Sequence, residues 1–150
     1  MFQPHLILHP TDYSECARYA FGVAVDLARH HGARLIVLHV ADALGPEGGV
    51  SFGEAATELQ PSGHLRHLLE ELHRVKPPED GGLALDYRLA EGDPGTAIAR
   101  LAREQHCDLI VMGTYGRSAL SHLISGSVTQ KVFRLASCAV LTIRMPTVAG

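Results

Sequence analysis

Six residues toward the carboxyl end of the chain have types and spacing that suit anion binding. Gly113 ends the short apolar run Leu109–Met112. Gly116 follows after two residues and Gly126 after nine more, with Ser127, Val128 and Thr129 directly behind it. The pattern reads as a strand, a glycine-hinged loop and a helix start. The first amides of a helix have no partner within it, so they are available to phosphate oxygens. Gly113 and Gly116 can let the backbone approach a ribose and its phosphates without a Cβ in the way, or can simply form the turn after a strand. Gly126, Ser127, Val128 and Thr129 can present amides and two hydroxyls to a ligand, and Ser127 can also serve as an ordinary helix cap. Arg117 can reach a phosphate or remain a solvated loop residue.

A carboxylate far away in sequence belongs to the same argument. Asp12 lies in the turn Pro10-Thr11-Asp12-Tyr13-Ser14. It can accept hydrogen bonds from ribose hydroxyls, help hold a metal that bridges phosphates, or bond its own backbone as turn aspartates do.

The elements that must position these residues follow from periodicity. His5–His9 is a short apolar run between two prolines and reads as a strand. Ser14 is placed to cap a helix over Glu15–His31, with Ala17, Ala20, Phe21, Ala24, Leu27 and Ala28 along one face and Gly32 as its stop. Arg34–Val40 is apolar on both faces, as a buried parallel strand is. Residues 41–60 are glycine-rich and pattern-free, a long variable loop with room for one short helix at Glu54–Leu59. Pro61-Ser62 opens a helix with the stripe Leu65, Leu68, Leu69, Leu72 and Val75, ended by Lys76-Pro77-Pro78. Leu83–Ala90 reads as an outer strand. Asp93 and Pro94 fit the cap and first position of a helix reaching Glu104. Asp108–Met112 is the next strand. Val128, Val132, Phe133, Leu135 and Ala136 mark another helix, Ala139–Ile143 is the last strand, and residues 146–150 form a loose tail. Strand and helix alternate throughout, which predicts a single α/β domain over residues 1–150. Its sheet is open, five-stranded and parallel, with helices on both faces.

Composition narrows the function. The chain of 150 residues is long enough for one full core, and its 46% hydrophobic content excludes disorder. No apolar run approaches the ~20 residues of a membrane span, and the first ten residues lack the features of a secretory signal. The expectation is a cytoplasmic protein without a membrane anchor, with Cys16, Cys107 and Cys138 as reduced thiols. Net charge is −3, yet residues 109–150 hold four basic residues and no acidic one, while residues 1–108 carry a net −7. Such a locally positive segment suits an anionic ligand at one site, though a buried segment can lack acids by chance. It does not suit broad nucleic-acid binding, which calls for a basic domain. Ten histidines include His64 and His67 at helical spacing, but no zinc pattern joins them, and a solvated helix face is expected. His122 is expected to be exposed rather than catalytic.

These residues together resemble the universal stress protein family, in its nucleotide-binding type. The signature Gly-x2-Gly-x9-Gly-Ser/Thr is met by Gly113, Gly116, Gly126 and Ser127. Three further landmarks occur in order. They are Pro-Thr-Asp-x-Ser at Pro10–Ser14 with a helix ending in DLARHHGA, LIVLHV at Leu35–Val40, and EGDP leading to DLIVMGTYGRS over Glu91–Ser118. The resemblance implies a Rossmann-like sheet in the order 3-2-1-4-5 and a homodimer through the last strand, residues 139–144. It also implies binding of ATP or another adenine nucleotide, with Mg2+ or Mn2+ accompanying the phosphates. By resemblance Val40 offers backbone groups to the adenine edge, and Pro10, Thr11 and Met112 line the pocket. One departure is Cys138-Ala139-Val140 where the family commonly has Cys-Pro-Val, which touches the dimer edge.

A 3-2-1-4-5 order puts strands one and four side by side with connections leaving in opposite directions. Ligands bind in the crevice at such a switch point. No GxxxxGK[ST] lysine is present, and no Glu, Gln or His is clearly placed to orient a water. The reading is a nucleotide-binding regulatory or stress-response protein with slow or no hydrolysis and no catalytic residue. A weak ATPase or adenylate hydrolase, and a nucleotide-free interaction module on the same fold, stand as alternatives.

Overall fold

A computed structural model of the chain describes residues 1–41, 63–79, 81–114 and 127–146. Nine elements alternate along it: β1 (Leu6–Pro10), α1 (Glu15–His31), β2 (Arg34–Ala41), α2 (Gly63–His73), β3 (Leu85–Glu91), α3 (Pro94–Glu104), β4 (Leu109–Gly113), α4 (Ser127–Leu135) and β5 (Ala139–Ile143). All strand pairs are parallel, and the sheet order is β3-β2-β1-β4-β5. The order implied by the resemblance is therefore the order observed.

Two cores sandwich the sheet, because successive strand residues point to opposite faces. Ile7, Leu35, Val37, Leu109 and Val111 pack under α1 and α2 with Phe21, Ala24, Val25, Leu65 and Leu72. Leu8, Ile36, Leu38, Ile110 and Met112 pack under α3 and α4 with Ile98, Ala102 and Val132. The central strands β1, β2 and β4 are thus apolar on both sides.

Local chemistry sets most helix ends. The Ser14 hydroxyl accepts from the Ala17 amide at 3.1 Å and caps α1. Gly32 stops the helix at φ 65, a left-handed conformation that glycine adopts without steric cost. Asp93 caps α3, taking the Thr96 amide at 3.0 Å and its hydroxyl at 2.7 Å, and Pro94 is the first helical residue. The Pro61-Ser62 helix opening, the variable loop after Ala41 and the tail beyond Pro146 lie outside the described residues.

Strand bounds shift by a residue or two from the periodicity. β1 and β4 run one residue later than expected. Asp108 does not begin β4 but staples its start, its Oδ2 accepting from the His5 amide at 2.7 Å and the Leu6 amide at 3.0 Å. Those two donors hold its carboxyl below the usual carboxylate range. β2 continues to Ala41, in register with Glu91. β3 starts only at Leu85, after the Gly81-Gly82 turn. The thiols of Cys16, Cys107 and Cys138 are free, and burial pushes Cys107 up to about 12.

Candidate functional site at the carboxyl edge of the sheet

The parallel order puts the carboxyl ends of β1, β2 and β4 along one edge. Thr11 and Asp12 follow β1, Val40 lies near the end of β2, and Met112 and Gly113 close β4. α4 must return from this edge to feed β5, so its first turn, Ser127–Thr129, begins there too. One contact fixes that placement: Lys131, one turn into α4, pairs at 2.9 Å with Asp93, which follows β3 at the same edge. Hydrogen bonds from Thr96 and Lys131 lower the Asp93 carboxyl to about 2. Four segments distant in sequence therefore converge. Gly116, Arg117, Gly126 and His122 lie outside the described residues.

The β1–α1 turn is tightly specified. The Thr11 amide donates to the Leu38 carbonyl at 2.8 Å, continuing the β1–β2 ladder by one step. The Thr11 hydroxyl accepts from the Tyr13 amide at 3.1 Å. Asp12 Oδ1 accepts from the Ser14 amide at 2.9 Å. The turn reading of Asp12 is thus realised, and it holds the half-buried carboxylate at the end of β1. Tyr13 sits at φ 65, rare for a residue with a side chain.

Gly113 has a packing reason to be glycine. A Cβ there would stand 2.8 Å from Cys16 Sγ and 3.2 Å from the Cys16 carbonyl carbon and oxygen. α1 therefore crosses β4 at a distance that only glycine permits, whatever ligand lies beyond. Pro10 and Val40 are half-buried and Met112 is 5% exposed. The Met112 side chain packs into the α3–α4 core, and the half-buried Val40 side chain packs against that core. At the start of α4, Ser127 is exposed, Val128 half-buried and Thr129 buried.

Two histidines that periodicity did not single out, His9 of β1 and His39 of β2, lie at this edge. His9 is fully buried, and its Nδ1–H donates to the Val111 carbonyl of β4 at 2.9 Å. A carbonyl only accepts, so the proton must sit on Nδ1. The β1–β4 register covers only Ile7↔Leu109 and Leu8↔Ile110, and Pro10 has no N–H to give. The ring thus supplies a donor where the backbone ladder has ended. Burial lowers His9 to about 4, against smaller opposing effects of the Val111 bond and Asp12. On the other side of β1, His39 Nδ1–H donates to the Thr11 carbonyl at 2.9 Å, with its ring 4.6 Å from that of Tyr13. The usable sequence signal was a histidine at a strand end beside a proline or a turn.

His64, His67 and His73 are exposed on α2, and His73 bonds its own helix at Leu69. Among the described residues no group of three or more metal-ligating side chains gathers. None of the described helices is long and apolar enough to cross a membrane.

The fold and this edge define a doubly wound α/β domain with its candidate ligand site at the topological switch point. The sequence profile of the universal stress protein family matches residues 5–144, and the chain belongs to that family. A universal stress protein of Thermus aquaticus is 36% identical over 147 residues, covering 96% of this chain and 100% of the relative. One from Methanocaldococcus jannaschii is 32% identical over 146 residues, covering 93% and 82%. Among solved structures, a universal stress protein in complex with cAMP superposes with TM-score 0.66 at 22% identity, covering 95% of this chain and 98% of that one. The Archaeoglobus fulgidus protein in complex with dAMP superposes with TM-score 0.59 at 22% identity, covering 94% and 97%. At that identity the two structures speak to the fold.

Proposed function

We propose that the protein binds an adenine nucleotide, ATP foremost, at the carboxyl edge of β1, β2 and β4, and holds it with slow or no hydrolysis. The observation that carries this is the convergence of Thr11–Asp12, Met112–Gly113 and Ser127–Thr129 on one edge of a family domain whose glycine signature is intact. Adenine nucleotides in the two structures of the same fold support the ligand class. In this reading Asp12 meets the ribose hydroxyls or a metal on the phosphates, and the α4 amides with Ser127 and Thr129 meet the phosphates. Gly113 and Gly116 let the backbone approach the ribose and phosphates, and Arg117 reaches a phosphate. Pro10, Thr11, Met112 and the Val40 backbone surround the base.

A divalent ion, Mg2+ or Mn2+, arrives with the nucleotide rather than being held by a cage of side chains. The residues favour holding over turnover. His9 is sealed in the core, so its ring is not disposed to take a proton from an attacking water. The protein acts as a dimer through β5, which pairs only with β4 among the described residues and leaves Ala139 and Leu141 exposed. A short apolar edge strand is a template for a second copy. The test is native mass spectrometry of the protein as purified. An adenine nucleotide released on denaturation is expected, and an apo protein that also takes up no added ATP contradicts the proposal.

A further inference from the structure

We infer that His39, with Tyr13, is a positioning pair that sets nucleotide affinity by fixing the Thr11–Asp12 segment; this rests on the nucleotide reading of that edge. Thr11 is held at three atoms: its amide by Leu38, its hydroxyl by the Tyr13 amide and its carbonyl by His39 Nδ1–H. Only the last of these comes from a side chain of another element. Tyr13, two residues on, holds a left-handed φ of 65. Such a conformation persists only where surrounding structure over-determines it. His39 supplies that constraint twice, through the bond to Thr11 and through its ring against the Tyr13 ring. Asp12 lies between the two held residues, so they place its backbone while the Ser14 amide holds its carboxylate.

Loss of the His39 donor leaves the carbonyl of buried Thr11 to seek water, and the strained turn can then relax. The rest of β1 stays anchored, since its pairing with β2 runs from Leu6↔Arg34 to Pro10↔Leu38. The effect therefore falls on ligand binding more than on folding.

ATP titration by calorimetry, with Mg2+ present, tests this on the full chain. His39→Leu is expected to weaken binding by about tenfold, the upper range for one net hydrogen bond. Its thermal midpoint is expected to move by no more than a few degrees. His39→Asn keeps an N–H at the position of Nδ1 and is expected to recover most of the affinity. Wild-type affinity in His39→Leu, or His39→Asn as weak as His39→Leu, overturns this inference while leaving the site reading intact. Unsubstituted protein that binds no ATP overturns both. Should His39→Leu fail to fold, histidine-ring 15N–1H spectra of the unsubstituted protein decide. An Nδ1-protonated His39 is expected, and an Nε2-protonated ring overturns the inference.

Discussion

His9 is a neutral, fully buried base, while the other histidines among the described residues lie at or near the surface. Its pKa of about 4 lies below the ordinary histidine value, so below pH ~6.5 the unfolded chain takes up a proton that the folded chain refuses. Its contribution is complete above pH ~6.5 and drains away as pH falls toward 4, a loss on the order of 3 kcal/mol. Urea unfolding at pH 7 and pH 4.5 should show this drop in the wild type and a much smaller one in His9→Leu. The same variant should be weaker at pH 7 by about 1–3 kcal/mol, since the Val111 carbonyl loses its donor. Gly113→Ala should cost about 1–3 kcal/mol from overpacking against Cys16. Cys16→Ala should recover only part of that in a double-mutant cycle, because Cys16 backbone atoms crowd the same spot. A binding defect at Gly113 would therefore mix ligand and packing effects. The spacing of the glycines draws attention to this position, but the packing reason for a glycine there lies in α1, far away in sequence. His9 and His39 were hidden for a related cause. Each caps a carbonyl on another segment, Val111 of β4 or Thr11 just after β1, and nothing in a run such as HLILHP says which segment will be beside it.

At the level of elements, the legible features were those governed by neighbours in the chain. Ser14, Gly32, Asp93 and Pro94 act within a few residues of themselves, and all four sit where local chemistry puts them. Strand ends were less legible because pairing decides them. Asp108 looks like the first residue of a strand, yet its side chain is committed to the start of β1. The cap on α1 also bears on the candidate site, because Ser14 is the residue whose amide Asp12 accepts. Ser14→Ala should destabilise the protein by about 1 kcal/mol, and Ser14→Asp should restore it, by denaturant unfolding. Hydrogen exchange should show the loss concentrated in the first turn of α1.

For the whole molecule, alternation of strand and helix gave a parallel α/β sheet, but periodicity contains no strand order. The order 3-2-1-4-5 came with the family resemblance, and it brings Asp12 and Gly113 to the carboxyl ends of neighbouring strands. The exposed edge of β5 makes a prediction at this scale. Leu141→Lys should convert the proposed dimer to a monomer in sedimentation equilibrium with the fold retained, because a charge on an edge strand blocks pairing with a second copy. The central claim is that the carboxyl edge holds an adenine nucleotide through residues on β1 and α4. Calorimetric titration of ATP with Mg2+ into the wild type and Asp12→Ala tests it most directly. The account predicts saturable, one-site binding that Asp12→Ala weakens by about ten- to a hundredfold, the range for hydrogen bonds to a charged group. No heat up to millimolar ATP, or equal affinity in the two proteins, would contradict it.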